Sequence, residues 1–278
     1  MKQIVIFTNN ERSINIIKKL KQKYKINLVV LSKKYLSKKL TLKIKKLIKK
    51  TVYIENSKMS LLKKISNEKP DFILCCGFPK KISKEIINLP KYCTINLHGG
   101  KIPSYLGGSP LNWQIINGEN KIYISSLKMN EKIDGGPLII QKSFKLNKFD
   151  NIDVIKSRAN YMFPKLCIDS INHVLKGKKL TYFSNNKKKF WRQRSNKDSK
   201  ININYHSKLN AHNIIRASSI KNYPAFIVVE RKKIYLFESK LLDKNIKMER
   251  NFILKKNKLY LKFFDGILLI NKFKVTNR

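Results

Sequence analysis

The stretch PDFILCCGFPKKISKEIINLPKYCTINLHGG, residues 70–100, decides the fold class of this chain. Two apolar segments, PDFILCCGF (70–78) and YCTINLHG (92–99), flank KKISKEIINL (80–89), which has the pattern of a short helix. The first segment is apolar on both faces, as in a strand buried within a parallel sheet. The stretch therefore predicts a strand, a helix and a second strand of an α/β protein.

The alternation of strand and helix continues on both sides of this unit. Upstream, strands are predicted at 2–8, 26–32 and 51–55, and helical patterns at 9–24, 36–50 and 58–68. Downstream, strands are predicted at 120–130 and 136–146, and a long helix at 151–176. The expected fold class is α/β, with a Rossmann-like, mostly parallel sheet covered on both faces. The first strand is followed by TNNERS instead of G-x-G-x-x-G, so a dinucleotide site is not supported.

The character of the chain changes after residue 180. The segment 181–200 is polar and basic and is expected to be a linker. From 201 to 278, a helix near 207–218 precedes short strand patterns, such as AFIVVERKKIYLFES and KNKLYLKFFDGILLINKF. The expected organisation is an α/β domain over 1–180 and a small β-rich domain of barrel or hairpin type over 201–278.

The net charge of +44 is the most unusual property of the composition. One interpretation is a polyanionic partner such as tRNA, or an anionic membrane surface. The other is compositional bias, because 53 lysines stand against 8 arginines, and lysine, isoleucine and asparagine share A- and T-rich codons. The even spread of lysines along the chain favours bias, although the charge still favours acidic substrates, phosphates included.

Two further features bear on the location of the protein. No stretch approaches about 20 uncharged apolar residues, so membrane insertion is not expected, and the N-terminus becomes charged too early for a signal peptide. The four cysteines, Cys75, Cys76, Cys93 and Cys167, form no C-x-x-C pair and have no histidine cluster near them. We expect core thiols in a reducing compartment, the cytoplasm, and no metal site.

Three polar residues are candidates for chemistry: Asn96, His98 and Asp134. Asn96 and His98 lie two apart at a strand end, where parallel sheets place their ligand sites, and they share one face of the strand. Asp134 lies in a DGG turn whose glycines allow close approach of a ligand. An amide can donate to a developing oxyanion, a histidine can hold charge or move protons, and an aspartate can orient the histidine and accept a proton. No serine or cysteine is placed beside His98 as a nucleophile, which favours direct attack by an amine over an acyl-enzyme.

The segments NLHGGKIPSYLGGSPLNWQIINGE and MNEKIDGGPLI together resemble the formyltransferase family that uses 10-formyltetrahydrofolate. The family pattern is Asn-x-His, a Leu-Pro-x-Tyr-Arg-Gly-like loop and then an aspartate, and here Asp134 follows His98 by 36 residues. The resemblance extends over nearly the whole chain and implies the formyltransferase fold, with a C-terminal domain related to the OB fold. One position departs from the pattern: Leu106 stands where the family has arginine, which removes a charged anchor of the loop.

The resemblance also implies roles for individual residues. Asn96 and His98 would stabilise the tetrahedral oxyanion, and Asp134 would set the state of His98 and take up the amine proton through water. The cosubstrate 10-formyltetrahydrofolate would lie along the loop 77–81 and near the segment that follows the strand predicted at 92–99. The residues expected to bind it are Gly77, Phe78, Pro79, Lys80, Ile102, Pro103 and Leu111.

Two acceptor amines stay open at this point. The segment SPLNWQIINGE resembles sugar formyltransferases, including the formylating domain of the polymyxin-resistance arabinose enzyme, and FTNNERS stands where the tRNA enzymes carry a GTPEFA-type loop. These features favour the amino group of a nucleotide-linked amino sugar, and the resemblance to such enzymes implies a homodimer. The alternative acceptor is initiator methionyl-tRNA, which the net charge and the C-terminal β domain support.

Overall fold

A computed structural model describes residues 1–34, 36–54, 58–218, 223–230, 232–242 and 248–276. The helices are α1 (Arg12–Leu20), α2 (Lys38–Leu47), α3 (Lys58–Ser66), α4 (Lys84–Ile87), α5 (Pro110–Ile116), α6 (Ile152–Leu175) and α7 (Lys208–Ala217). The first eight strands are β1 (Gln3–Thr8), β2 (Lys25–Leu31), β3 (Thr51–Tyr53), β4 (Phe72–Cys76), β5 (Cys93–His98), β6 (Leu106–Gly107), β7 (Lys121–Lys128) and β8 (Leu138–Lys145). The later strands are β9 (Phe190–Trp191), β10 (Ala225–Val229), β11 (Lys232–Leu241), β12 (Phe252–Lys255), β13 (Lys258–Phe263) and β14 (Gly266–Thr276).

The central sheet has seven strands in the order β3-β2-β1-β4-β5-β7-β8. The pairs from β3 across to β5 are parallel, and β7 joins β5 in the antiparallel sense. All five residues of β4 are buried, as its unbroken apolar sequence predicts. The predicted α/β class with a mostly parallel sheet is therefore confirmed.

The register of three neighbouring strands brings their carboxyl ends to one edge of the sheet. Thr8 at the end of β1 lies opposite Cys76 in β4, and Cys75 lies opposite Asn96 in β5. The strand order jumps from β1 to β4 at this point, with β2 and β3 on the other side of β1. Ligands of open α/β sheets bind outside such a switch in strand order, so a ligand site is expected among the residues that follow β1, β4 and β5.

The chain divides into two compact units that are not contiguous in sequence. The first contains residues 1–107, 123–143 and 158–190, and the second contains 108–122, 144–157 and 191–278. The sequence boundaries at 180 and 200 stay a prediction, but the observed grouping assigns two internal segments to the second unit. That unit holds a five-stranded sheet in the order β10-β11-β14-β13-β12, whose pairs are all antiparallel, so the predicted β-rich C-terminal region is confirmed.

Helix α5 opens at Pro110, after Ser109 in a left-handed conformation. Proline is favoured at the first helical position because its fixed φ suits the helix and its missing N–H would have no intrahelical acceptor. The Ser-Pro pair was therefore a signal for this helix, which the strand-and-helix pattern did not predict. Across the described ranges, no helix combines the length and the apolar character that crossing a bilayer requires.

A buried histidine connects three segments of the second unit. His212 in α7 is 4% exposed; its Nδ1 lies 2.8 Å from the Ser239 hydroxyl in β11, and its Nε2 lies 3.1 Å from the Lys148 carbonyl. Burial lowers the pKa of His212 to about 4. The folded state therefore favours the neutral ring.

The stability of the protein should depend on pH through His212. Its contribution is complete above the ordinary histidine pKa of about 6.5 and is lost as the pH falls toward 4, because the unfolded chain binds the proton more readily. We expect the free energy of unfolding to fall by about 3 kcal/mol more between pH 7 and pH 4 in the wild type than in His212→Gln. Urea titrations at both pH values measure this difference. An identical pH dependence in the two proteins would contradict it.

Candidate active site

The carboxylate of Asp134 is the centre of the site. Its Oδ1 accepts a hydrogen bond of 2.7 Å from the Asn96 amide, and its Oδ2 accepts one of 2.8 Å from the backbone N–H of Gly107. Asp134 adopts a left-handed conformation (φ 47°), which aspartate tolerates better than most residues. The carboxylate therefore joins the end of β5, the far end of the loop 99–108 and the DGG turn.

His98 is buried behind this carboxylate. Its Nδ1 lies 3.3 Å from Asp134 Oδ2, and its Nε2 lies 2.6 Å from the backbone carbonyl oxygen of Tyr105. Both ring nitrogens thus face oxygen atoms of the protein, and the side chain is only 6% exposed. With both ring nitrogens directed to these oxygens, the ring would have to turn before it could donate to a substrate.

A cavity of about 260 Å³ opens beside Asn96 and Asp134. Phe78 forms part of its wall and is held edge-on against Phe7 of β1, with 5.2 Å between the ring centroids. His98 is not among the described residues that line this cavity. The residues that line the cavity are Cys75, 78–82, Ile87, Asn96 and 127–136.

The predicted folate-binding residues divide into two groups. Phe78, Pro79 and Lys80 line the cavity. Gly77 precedes them with a φ of +67°, and a Cβ built on it would lie 3.0 Å from the Cβ of Asn10. Glycine is thus required there both by backbone conformation and by the close approach of the loop after β1.

Ile102, Pro103 and Leu111 are absent from the described cavity walls. Ile102 is 5% exposed and belongs to an apolar cluster, and the carbonyl of Pro103 accepts a hydrogen bond from the N–H of Lys189. Leu111 is a buried residue of α5 in the second unit. The structure therefore gives the first two a role in holding the loop, and their contact with folate stays a prediction.

Leu106 explains how the loop is held without the arginine of the family pattern. Its side chain is fully buried and packs with Ile102 and Leu127, and its N–H donates to the carbonyl of Lys189. Burial of this kind stabilises by about 2 kcal/mol for a leucine side chain. Apolar packing thus provides an anchor for this loop.

The cysteine at the cavity wall is unreactive. Burial raises the pKa of the Cys75 thiol to about 12, so the nucleophilic thiolate is not available near neutral pH. All four cysteines are buried and unpaired, which confirms the expected core thiols. The chemistry of Cys75 therefore disfavours a thioester intermediate, in agreement with the predicted direct attack by an amine.

The glycine next but one to Asp134 sets the shape of the DGG turn. A Cβ on Gly136 would lie 1.8 Å from the backbone oxygen of Lys128, which ends β7. The φ of Gly136 lies outside the left-handed region, so close packing alone requires glycine there. The sequence pattern suggests that the two glycines allow a ligand to approach, and it does not reveal the contact between Gly136 and β7.

Gly136→Ala should displace the turn that carries Asp134. A clash of this size forces a backbone shift, and overpacking typically costs about 1–3 kcal/mol or more. We expect a lower unfolding midpoint and loss of the transfer activity that the sequence resemblance predicts. Gly177→Ala is the matched control: its Cβ meets nothing within 4 Å but its φ is +62°, so it should lose about 1 kcal/mol of stability and keep its activity. Full activity in Gly136→Ala would contradict the assigned contact.

These features define an α/β enzyme with an amide–carboxylate–imidazole cluster at the carboxyl edge of its sheet. A family model described as formyl transferase matches residues 1–171. The chain belongs to the formyl transferase family.

Relatives within the family carry different names. The chain is 27% identical over 215 residues to a methionyl-tRNA formyltransferase of Thermodesulfovibrio yellowstonii, covering 76% of this chain and 68% of that protein. It is 34% identical over 188 residues to the bifunctional polymyxin resistance protein ArnA of Wigglesworthia glossinidia brevipalpis, covering 64% of this chain and 27% of that protein.

Solved structures support the fold. An N-formyltransferase from Helicobacter canadensis, in complex with folinic acid and dTDP-3-aminofucose, superposes with a TM-score of 0.73 at 18% identity and covers 99% of this chain and all of that one. Methionyl-tRNA formyltransferase from Clostridium thermocellum gives 0.64 at 18% identity, with complete coverage of both chains. HypX from Aquifex aeolicus gives 0.66 at 16% identity, and this chain spans 45% of its length.

Proposed function

We propose that this chain, a folate-dependent N-formyltransferase by family, formylates the amino group of a nucleotide-linked amino sugar. The main support for the proposed formyl transfer is the cluster at the wall of the cavity, in which Asp134 accepts hydrogen bonds from Asn96 and from the Gly107 N–H. An amide donor and a carboxylate acceptor beside one cavity suit the two requirements of the reaction. One is stabilisation of charge on the formyl oxygen, and the other is removal of a proton from the attacking amine.

The amide of Asn96 has an N–H that can donate a hydrogen bond to the formyl oxygen. One N–H of its amide is directed to Asp134, and no other described residue accepts the second. The lone pair of the amine forms the new C–N bond as charge develops on the formyl oxygen. The bond from the formyl carbon to the donor nitrogen then breaks, and that nitrogen keeps the electron pair and takes up a proton, which Asp134 passes on through water after receiving it from the amine. Asp134 takes the amine proton, through water, and His98 holds Asp134 in place through Nδ1.

The cavity fits the reacting end of a folate. Its walls combine apolar side chains, such as Phe78, Ile82 and Leu127, with the polar groups of Lys80 and Asn96. Its volume of about 260 Å³ is close to the lower limit of small-molecule sites, about 300–1,000 Å³. It therefore suits a flat ring system and leaves the rest of the ligand to extend outside. The 10-formyl derivative supplies the activated one-carbon unit.

The acceptor is proposed from two local sequence features and one relative. Segment 109–119 and the loop after β1 favour a sugar acceptor, and the 34% identity to ArnA supports the same choice. The specific observation in favour of methionyl-tRNA is the 27% identity over 215 residues to an enzyme of that name, so it is the second candidate.

Substitutions of the two cavity residues should stop the reaction without unfolding the protein. Removal of one oxyanion donor lowers kcat by about 10²–10³, and removal of a general base by about 10²–10⁴, so we expect losses of this size in Asn96→Ala and Asp134→Asn. Glu249→Gln, an equivalent exchange at an exposed carboxylate of the second unit, should keep the full rate. Circular dichroism checks folding. Wild-type rates in both cavity variants would exclude the mechanism.

The acceptor is tested directly with radiolabelled 10-formyltetrahydrofolate. The purified protein is incubated with UDP- and dTDP-linked 3-amino and 4-amino sugars in one series and with methionyl-tRNA in another. We expect formylated sugar and no formyl-methionyl-tRNA, with the Asp134→Asn protein as the blank for both series. Product from methionyl-tRNA alone would replace the first candidate by the second.

A further inference from the structure

The loop after β1 is fixed against the site edge of the sheet. The side chain of Asn9 connects it to the end of β2: its Nδ2 donates to the Ser32 carbonyl at 2.7 Å, and its Oδ1 accepts from the Ser32 N–H at 2.9 Å. On the other side, Asn10 packs against Gly77, the residue that precedes the cavity wall. Arg12, the first residue of α1, therefore follows a loop that is held on both sides.

Arg12 carries a charge that the described protein does not neutralise. Its guanidinium lies 4.6 Å over the ring of Phe163, and its Nε donates to the Asn10 Oδ1 at 3.3 Å. No carboxylate of the described residues forms an ion pair with it. The side chain is half-buried, and burial lowers the pKa of Arg12.

Arg12 and Asn10 have more hydrogen-bond donors than the described residues around them have acceptors for. A guanidinium has five N–H groups, and only the Nε hydrogen of Arg12 has an acceptor among the described residues. The Oδ1 of Asn10 accepts both hydrogen bonds from Arg12, and the Nδ2 of Asn10 has no acceptor among the described residues. Two adjacent side chains thus present unused N–H groups at the edge where the reaction occurs.

The composition makes an arginine at this place informative. With 53 lysines and 8 arginines, lysine is the ordinary cation of this chain. Other described arginines use the planar fork of the guanidinium: Arg192 binds both oxygens of Asp198, and Arg194 donates to Ala217, Ser199 and Ser218. Arg12 is stacked on Phe163 but has no such acceptor for its terminal N–H groups among the described residues, which points to a ligand as the partner.

We propose that Arg12 and Asn10 bind the diphosphate of the nucleotide-linked acceptor. This inference rests on the proposed function. Strand β1 is two strands from β5, which at about 4.8 Å per strand separates the two strand ends by about 10 Å. A nucleotide amino sugar has its diphosphate and its amine on opposite sides of one sugar ring, so an anchored diphosphate would direct the amine toward Asn96. Phosphate oxygens match the guanidinium fork and the amide donor.

Steady-state kinetics with the complete protein test this inference. A hydrogen bond to a charged group contributes about 1.5–3 kcal/mol, so Arg12→Gln should raise the KM for the nucleotide amino sugar about 10- to 100-fold. The KM for 10-formyltetrahydrofolate and the unfolding midpoint should stay the same. Arg12→Lys should recover only part of the loss because it restores the charge and not the fork. Lys18→Gln, which removes one exposed charge from the same helix, is the matched control and should match the wild type.

Calorimetry separates this inference from the proposed function. Wild-type protein should bind UDP or dTDP, and Arg12→Gln should weaken that binding by the same factor as the change in KM. If the sugar is formylated but Arg12→Gln keeps its KM, the inference is wrong and the function stands. If only methionyl-tRNA is formylated, the function is wrong, and nucleoside diphosphate binding decides: loss in Arg12→Gln supports the anion site, and equal or absent binding rejects it. Parallel loss of folate affinity and stability also rejects it.

Discussion

The carboxylate of Asp134 holds together the segments from which the site is built. It accepts hydrogens from Asn96 at the end of β5 and from the Gly107 N–H, and it lies against the ring of His98. A carboxylate that is 8% exposed is costly to bury unless donors surround it. The carboxylate therefore helps to position the loop that contains Gly107 and the DGG turn, together with the packing of Leu106, and the left-handed backbone at Asp134 is the conformation that presents it.

The sequence predicts the larger part of this arrangement. Continuous apolar strands separated by helices indicate a parallel sheet, and β4, α4 and β5 lie within the ranges that the pattern indicates. Because parallel strands end at one edge, the same reasoning places Asn96 and the loop after β4 together. The spacing of Asn96 and His98 predicts a shared face, but only the resemblance to a family connects Asp134 to them across 36 residues.

What the sequence does not predict depends on contacts over long distances. The Tyr105 carbonyl takes His98 Nε2 because the loop folds back on β5, and no local pattern encodes that return. The burial of Leu106 against Leu127 likewise requires the position of β7. Segments 108–122 and 144–157 belong to the second unit because of tertiary packing. A division of the chain by composition cannot detect such packing.

The surplus of positive charge does not by itself decide between the proposed acceptors. Exposed lysines interact over a screening length of about 8 Å at physiological salt, so they would attract either anionic acceptor, a nucleotide diphosphate or a tRNA. A positive surrounding also disfavours the ammonium form of the acceptor, and the neutral amine is the nucleophile. In the proposed mechanism, Asp134 adds a local proton acceptor at the point of attack. Discrimination between acceptors must therefore come from donors whose direction is fixed, and the amide and guanidinium groups beside the sheet edge have that property.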